Sequence, residues 1–324
     1  MSLQPPARPG PATVTASVAA PLLTARRPVW ARLPMAALRT SRPRQWPKNL
    51  LVFAAPVTGS ALGRSGTAMG EAVAAFIVFT LAASSVYFVN DVLDAERDRQ
   101  HPRKCLRPIA CGDLAETHAL TMAALCALGA VLVGLLTPGL GLTLTAVAYL
   151  AVSLLYCTRL KHVPFVELTV VASGFVLRAL GGASAAKVPP SGWFVLVCSL
   201  GALLVVVAKR YTELASLGGA ATAHRPSLRY YSPGGLRLSQ RLITLSMVAA
   251  YCTWAATEAD PWTVDWHLAS TVPLIAALVR FDRLTAAGST RHIEDLLVRD
   301  TVMVCLELSW LVVFVVGLAT HDIF

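Results

Sequence analysis

The sequence predicts an all-α integral membrane protein with nine transmembrane helices. The chain has 324 residues, of which 55% are hydrophobic and only 14% are charged, and its mean hydropathy is +0.60. A soluble domain of this length would carry roughly 25% charged residues, so this chain has too little polar surface to cover a globule. Its apolar residues also fall in long blocks. Helices are expected there, because a helix satisfies its own backbone hydrogen bonds within the bilayer.

The segment 1–38 differs in composition from the rest of the chain. It is rich in Pro, Ala and Arg, and it contains no apolar run long enough to cross a bilayer. The regions typical of a removable signal peptide are not recognisable in it. We therefore expect a disordered or surface-lying cytoplasmic arm over 1–38, followed by one membrane-embedded catalytic domain over 39–324.

Nine apolar blocks follow the arm, and most are close to the roughly 20 residues that a helix needs to span a bilayer. They cover residues 49–63, 68–90, 117–136, 139–157, 164–183, 191–209, 241–258, 264–281 and 302–320. The first block is short and contains Pro56, a residue that disfavours a helix interior. Each block is interpreted as one transmembrane helix.

The basic residues predict the orientation of the bundle. With the N-terminus in the cytoplasm, all but three of the 28 Lys and Arg residues fall in inner segments. Arg64 and Lys187 fall outside, and Arg178 lies within a span. Because cytoplasmic loops carry an excess of Lys and Arg, the net charge of +10 is a topology signal, and we predict no nucleic-acid partner. The expected location is the plasma membrane, crossed several times.

The stretch YFVNDVLDAERD closes the second block with a concentration of oxygen-bearing side chains. On a helix, Tyr87, Asn90, Asp91, Asp94 and Asp98 fall within an arc of about 100°. Carboxylates gathered at a membrane boundary repel each other unless a divalent cation binds them, and all-oxygen ligands favour Mg²⁺. We predict a Mg²⁺ site here; the alternative is a solvated helix end with scattered acids.

Basic residues follow the acidic stretch in the same predicted inner loop. They are His101, Arg103, Lys104 and Arg107. A Mg²⁺-bound diphosphate still carries negative charge, which Lys and Arg side chains neutralise. The loop therefore suits a diphosphate substrate, although any one of these bases could instead serve only as a topology signal.

The segment NDVLDAERDRQHPRKCLRPIACG resembles the first aspartate-rich motif of the UbiA superfamily of intramembrane prenyltransferases. That motif reads N-D-x-x-D-x-x-x-D, followed by H-P-x-K-x-R-P. The positions that match its amide and acids are Asn90, Asp91, Asp94 and Asp98. The resemblance implies a UbiA-type helical bundle with a cytoplasm-facing cavity. It also makes Lys104 and Arg107 the preferred diphosphate ligands.

A second segment, LLYCTRLKHVPFVELTVVASGFVLRALGG, is similar to the Tyr-plus-Lys element of this family and the helix after it. Tyr156 and Lys161 stand at the family's spacing, and Arg178 lies on the following span. Tyr156 is either a site residue or part of an interfacial aromatic belt. Arg178 either faces the substrate or forms a structural ion pair; Glu167 lies at nearly the same helical angle but three turns away.

The end of the sixth block departs from the family pattern. Members that use prenyl diphosphates usually carry a second aspartate-rich motif at this place, whereas this chain reads VVAKRYTELASLGG. Lys209, Arg210 and Tyr211 offer cationic and hydroxyl groups there, with Glu213 as the one acid. A second metal site of the usual kind is therefore doubtful, and the added positive charge suits a substrate with a further phosphate.

The segments RPRQWPKNLLVFAAP and KRYTEL together resemble the decaprenyl-phosphate phosphoribosyltransferase branch of the superfamily. This branch transfers phosphoribose from phosphoribosyl diphosphate (PRPP) to a polyprenyl monophosphate, for arabinan synthesis in mycobacterial-type cell walls. The resemblance implies displacement of diphosphate at the ribose anomeric carbon. The predicted catalytic residues are Asp91, Asp94, Asp98 and Lys161. The predicted substrate-binding residues are Lys48, Tyr87, Lys104, Arg107, Tyr156, Lys161, Arg178, Lys209, Arg210 and Tyr211.

Two rival functions stay open at this point. One is a prenyltransferase of the same fold that moves a prenyl group from a prenyl diphosphate to an aromatic or haem-like acceptor. The other is a transporter or channel, for which charges near the membrane midplane would be expected across several spans. Assembly as a homo-oligomer such as a trimer is suggested by related enzymes and by none of these residues. The loop His224–Gly235 is either a lid over an inner-face site or an exposed loop.

Overall fold

The computed structural model describes residues 29–58, 66–217, 226–257, 264–287, 293 and 299–321, and helices dominate throughout those ranges. In chain order the α-helices are α1 Val29–Thr40, α2 Ala54–Thr58, α3 Gly66–Leu93, α4 Ala95–Arg99, α5 Glu116–Leu135, α6 Gly141–Thr158, α7 Val166–Ala185, α8 Gly192–Leu217, α9 Pro233–Thr257, α10 Val264–Ala286 and α11 Thr301–His321. Four 3₁₀ segments join them: Pro43–Phe53, Lys104–Leu106, Leu160–His162 and Pro226–Tyr230.

Six of the described helices are long and apolar enough to cross a membrane, namely α3, α5, α6, α7, α8 and α11. They coincide with six of the nine predicted blocks. Helices α9 and α10 have 25 and 23 residues and match two further blocks, but their composition is more polar. The predicted all-helical membrane architecture is confirmed at this level, while the count of nine spans stays a prediction.

The first predicted block differs from a single helix over the residues that the structure describes. Pro43–Phe53 forms a 3₁₀ helix, called the entry segment below, and α2 follows it directly. Pro47 lies inside the entry segment; its ring removes a backbone donor and disfavours a regular α-helix. The predicted boundary at residue 38 also falls within α1, so the end of the supposed arm is helical. Residues 1–28 lie outside the described part of the chain.

Helix α3 is the central element of the bundle and packs along α5, α6 and α7. Its residues Ala75, Val78, Phe79 and Ala82 are fully buried, as expected for a helix enclosed on several sides. The Phe79 ring meets the edge of the Tyr149 ring at 5.7 Å between centroids. Along the rest of the bundle each helix packs on the next: α5 on α6, α6 on α7, α7 on α8, α8 on α9, α9 on α10, and α10 on α11.

A buried polar contact ties the entry segment to the bundle. Asn49 is 1% exposed; its amide nitrogen donates to Thr80 Oγ1 on α3 at 3.0 Å. Its amide oxygen accepts from Arg178 Nε on α7 at 2.7 Å. Because unsatisfied polar groups are costly in a membrane interior, these bonds fix the entry segment against both helices.

The entry segment also lies directly against the backbone of α7. A Cβ atom built on Gly182 would stand 1.7 Å from the carbonyl oxygen of Val52, and one on the preceding Gly181 would stand 2.3 Å from the Phe79 ring. Only glycine permits these approaches, so Gly182 sets the distance between α7 and the entry segment, and Gly181 sets the distance between α7 and the Phe79 ring of α3.

We predict that Gly182→Ala destabilises the protein by about 1–3 kcal/mol or more, because the new methyl group must displace a backbone carbonyl rather than a side chain. Thermal unfolding in detergent, followed by size-exclusion fluorescence, measures the loss. Gly70→Ala is the matched control, since the space around Gly70 on α3 is open. Equal melting temperatures for the two variants would contradict the close approach.

Candidate active site

The aspartates lie at the junction of α3 and α4. Asp94 separates the two helices, with φ −97° and ψ 0°. The backbone N–H of Asp94 donates to Asn90 O at 3.0 Å, and that of Asp98 donates to Asp94 O at 2.8 Å. The helical hydrogen-bond spacing thus continues across the junction. The structure therefore keeps the acidic residues on neighbouring turns, as the helical arrangement predicts.

Two of the aspartates converge on a single cationic nitrogen. Arg107 Nη1 donates to Asp98 Oδ2 at 2.6 Å and to Asp91 Oδ1 at 3.2 Å. Both aspartates are only 3% exposed, so their charges need a close partner to be tolerated. The loop after α4 supplies that partner, and it places predicted ligand Arg107 directly among the acids.

Arg42 is a site residue that the sequence reasoning missed. Its guanidinium contacts Asp91 and lies 4.7 Å above the centre of the Tyr87 ring. Its backbone has φ 53° and ψ 65°, a left-handed conformation that non-glycine residues rarely adopt. This turn joins α1 to the entry segment and directs the side chain back to α3. The only available signal was the arginine that opens RPRQWPKN.

Lys161 closes the opposite side of the site. Its Nζ donates to Asp94 Oδ1 at 2.8 Å, joining residues that are far apart in the sequence. The two side chains are 17% and 23% exposed, which leaves this pair more accessible than Asp91 and Asp98. Lys161 lies in the 3₁₀ turn Leu160–His162 between α6 and α7. The fold thus brings Lys161 of the Tyr-plus-Lys element into contact with one aspartate of the acidic stretch.

Three other predicted ligands lie in the surrounding segments. Lys48 is half-buried in the entry segment, next to the buried Asn49. Lys104 begins the 3₁₀ turn Lys104–Leu106, and Tyr156 packs against the core cluster around α3. Their binding roles stay predictions.

Arg178 is held by protein groups rather than by the partner considered from the sequence. Its guanidinium donates to Asn49 Oδ1, to Gly174 O at 2.6 Å and to Tyr149 OH at 3.0 Å. Glu167, the acid at a similar helical angle, instead accepts from Arg210. Glu167 is three helical turns from Arg178, so the structural alternative for Arg178 takes the form of hydrogen bonds to neutral groups. A substrate contact of Arg178 stays a prediction.

A second polar cluster surrounds Glu167 at the start of α7. Glu167 is fully buried, and its carboxylate accepts from Arg210 Nε and Nη2 at 3.2 and 3.3 Å. Arg210 Nη1 donates to Glu213 Oε2 at 2.8 Å. The Arg210 guanidinium is thus shared between two carboxylates and is 2% exposed. A carboxylate-bound, buried guanidinium is poorly placed to take a substrate phosphate.

The neighbours of Arg210 have different surroundings. Lys209 is half-buried on α8. Tyr211 packs against the apolar cluster formed by α7, α8 and the start of α9, and Arg237 lies 5.2 Å from the centre of its ring. Of the three predicted ligands, Arg210 is therefore buried, whereas Lys209 and Tyr211 are partly exposed. Their phosphate contacts stay predictions.

The oxygen donors at the α3–α4 junction fit a hard divalent cation in type. Among the described residues, no three His, Cys, Asp or Glu side chains stand close enough together to enclose a metal ion, since Asp94 turns to Lys161. However, Asp91 and Asp98 converge on one positively charged nitrogen. Carboxylate pairs of this kind, with an amide such as Asn90 nearby, are the ligands that Mg²⁺ prefers.

The sequence model of the UbiA prenyltransferase family matches residues 50–293. The chain belongs to this family. Among its UbiA relatives, the decaprenyl-phosphate phosphoribosyltransferase of Mycobacterium tuberculosis is 40% identical over 87% of this chain and 93% of its own length. The protein of the same name from Mycolicibacterium smegmatis is 37% identical over 85% of this chain and 89% of its own length.

Solved UbiA structures share the fold. A UbiA homolog from Archaeoglobus fulgidus bound to DMAPP and Mg²⁺ superimposes with a TM-score of 0.66, covering 89% of this chain and 99% of the homolog. The two sequences are 14% identical. At that distance the likeness establishes the UbiA helical bundle, and the ligands of the homolog describe that protein alone.

We predict that Arg107→Gln lowers both melting temperature and activity, because it leaves two buried carboxylates facing each other with less positive charge. Adding Asp98→Asn should restore part of the melting temperature by removing one of the charges, without restoring activity. Thermal unfolding and a transfer assay on the same preparations measure the two effects. No thermal recovery in the double variant would contradict the shared contact.

Proposed function

We propose that this UbiA family member transfers a 5-phosphoribosyl group from PRPP to a polyprenyl phosphate such as decaprenyl phosphate, with release of diphosphate. The main support for the proposal is a set of salt bridges that join Asp91 and Asp98 to Arg107, and Asp94 to Lys161. Acidic residues able to bind a metal and basic residues able to bind a diphosphate thus lie together at the α3–α4 junction. The names and 36–40% identities of the relatives support the same substrates.

In the proposed reaction Asn90, Asp91, Asp94 and Asp98 are the residues that would hold Mg²⁺. When bound, the metal would neutralise charge on the leaving diphosphate. The buried positions of Asp91 and Asp98 keep their carboxylates fixed, while the more exposed Asp94 is accessible to a substrate complex. The aspartates thus act by holding charge in place and not by transferring protons.

Lys161, Arg107 and Lys104 supply positive charge to the diphosphate in this proposal. Lys161 and Arg107 already contact the aspartates, so they can exchange a carboxylate oxygen for a phosphate oxygen over a short distance. Fixed cations around a leaving group stabilise the charge that develops on it. Tyr87, beneath Arg42, is placed to hydrogen-bond the diphosphate or the ribose.

The acceptor phosphate needs no strong general base, because it is already anionic at neutral pH. The chain's contribution is then positioning and electrostatics. We assign Lys48, Lys209 and Tyr211 as candidates for the ribose 5-phosphate or the lipid phosphate. Arg210 is excluded from these candidates because its guanidinium is buried as well as bound to two carboxylates, and Arg178 is assigned a structural contact with Asn49 and Tyr149.

The cellular setting is part of the same proposal. We place the protein in the plasma membrane with nine spans and with the aspartates facing the cytoplasm, where the excess of basic residues is expected. The product would feed arabinan synthesis for the cell wall, and the protein would assemble as a homo-oligomer such as a trimer. These assignments rest on charge distribution and on the resemblance to the phosphoribosyltransferase branch.

The decisive experiment incubates purified protein with labelled PRPP and decaprenyl phosphate, with and without Mg²⁺. We expect label in the lipid only with Mg²⁺. We also expect a loss of at least about 100-fold in Asp94→Asn, which keeps the side-chain size but removes the charge. Thermal unfolding of that variant serves as the folding control. Turnover of a prenyl diphosphate with an aromatic acceptor, without transfer from PRPP, would support the prenyltransferase alternative instead.

A direct displacement also predicts the stereochemistry of the product. The acceptor phosphate attacks the anomeric carbon from the face opposite the diphosphate, so the configuration at that carbon should be inverted. NMR coupling constants of the purified lipid product measure it. Retained configuration would indicate a covalent intermediate and would argue against simple displacement.

A further inference from the structure

Residues 227–231, which precede α9, are anchored to α7 by one buried carboxylate. Ser227 Oγ donates to Glu167 Oε1 at 3.0 Å, and Tyr231 OH donates to the same oxygen at 3.4 Å. Arg210 on α8 donates to both carboxylate oxygens. Glu167 therefore joins α7, α8 and residues 227–231 at one point. A fully buried, hydrogen-bonded ion pair of this kind is costly to break from one side.

Tyr231 makes a further contact that reaches the backbone before α7. Its hydroxyl oxygen accepts the N–H of Phe165 at 2.7 Å, and the two rings meet edge to face at 5.2 Å. Phe165 has φ 62° and ψ −45°, a conformation that costs a bulky residue free energy and persists only where neighbours hold it. Tyr231 is the neighbour that holds it here.

The direction of these hydrogen bonds is fixed by the chemistry of the hydroxyl. Its oxygen receives the Phe165 N–H, so its own proton is available for Glu167. Burial, together with the nearby Glu167 carboxylate, raises the pKa of Tyr231. The hydroxyl thus stays protonated at neutral pH and can serve both contacts.

The Phe165 contact matters because of what precedes it in the chain. Lys161, which holds Asp94, lies four residues before Phe165 in the turn between α6 and α7. The 3₁₀ turn Leu160–His162 also packs against the 3₁₀ segment Pro226–Tyr230. The short Lys161–Phe165 connection is therefore held at one end by Asp94 and at the other by Tyr231.

We propose that Tyr231, held by Glu167, is a positioning residue that fixes Lys161 against Asp94 and so aims its ammonium at the donor substrate. Residues 227–231 then act as a fixed brace of the site. This inference rests on the proposed function, in which Lys161 contacts the diphosphate of PRPP. It assigns the buried Glu167–Arg210 pair a role in supporting the brace.

The test compares Tyr231→Phe with Tyr230→Phe in the full-length enzyme. Tyr231→Phe keeps the ring against Phe165 and removes only the hydroxyl, whereas the neighbouring Tyr230 is exposed and serves as the matched control. We expect kcat/KM for PRPP to fall about 5–10-fold in Tyr231→Phe, the scale of one lost hydrogen bond. The KM for decaprenyl phosphate should be unchanged, and Tyr230→Phe should match wild type.

A double-variant cycle separates positioning from general stability. If Tyr231 acts through Lys161, then adding Tyr231→Phe to Lys161→Ala should cause no further loss of kcat/KM. Equal losses in both backgrounds would overturn the inference, as would unchanged PRPP kinetics in Tyr231→Phe. Ser227→Ala removes a contact to Glu167 but none to Phe165, so it should give a smaller loss in the same parameter. If Tyr231→Phe fails to fold, wild-type kinetics in Ser227→Ala would overturn the inference.

The wild-type assay distinguishes this inference from the function on which it depends. If wild-type enzyme transfers no label from PRPP, the proposed function fails before any variant is compared. If wild type transfers label and the cycle is additive, only the positioning role of Tyr231 fails.

Discussion

The pairing of acids and bases at the end of α3 is the interaction on which the site depends. Asp91 and Asp98 are buried at a membrane boundary, where unpaired carboxylates would be strongly destabilising. Arg107 and Arg42 come from two other segments to meet them. The charge requirement therefore draws the α4–α5 loop and the turn before the entry segment onto one helix end, and this convergence creates the polar cluster of the site.

A second set of polar contacts holds the helical framework around that cluster. Asn49 and Arg178 connect the entry segment with α3, α6 and α7 through hydrogen bonds inside the apolar bundle. Around Glu167, a buried ion pair connects α7 with α8. Both sets use charged groups for structure, even though intramembrane charge first suggests function. Burial and partners, which only the folded chain reveals, separate the two roles.

The features that could be predicted from the sequence were those that depend on short-range residue patterns. Long apolar blocks gave the helices, and the spacing of Asn90, Asp91, Asp94 and Asp98 gave the acidic face. Contacts that depend on a three-dimensional turn could not be foreseen in this way. The left-handed backbone of Arg42 and the union of Glu167 with Arg210 are two examples, since neither has a periodic signature. The entry segment also departed from a plain helix because its prolines remove backbone donors.

The contact between Gly182 and the carbonyl of Val52 limits how this protein can open. A side chain in that space could change its rotamer and make room, but a backbone carbonyl cannot. Because the buried hydrogen bond from Arg178 to Asn49 also joins them, the entry segment and α7 are closely coupled at this point. In the proposed function, an opening for a long isoprenoid tail is therefore expected along a different seam of the bundle.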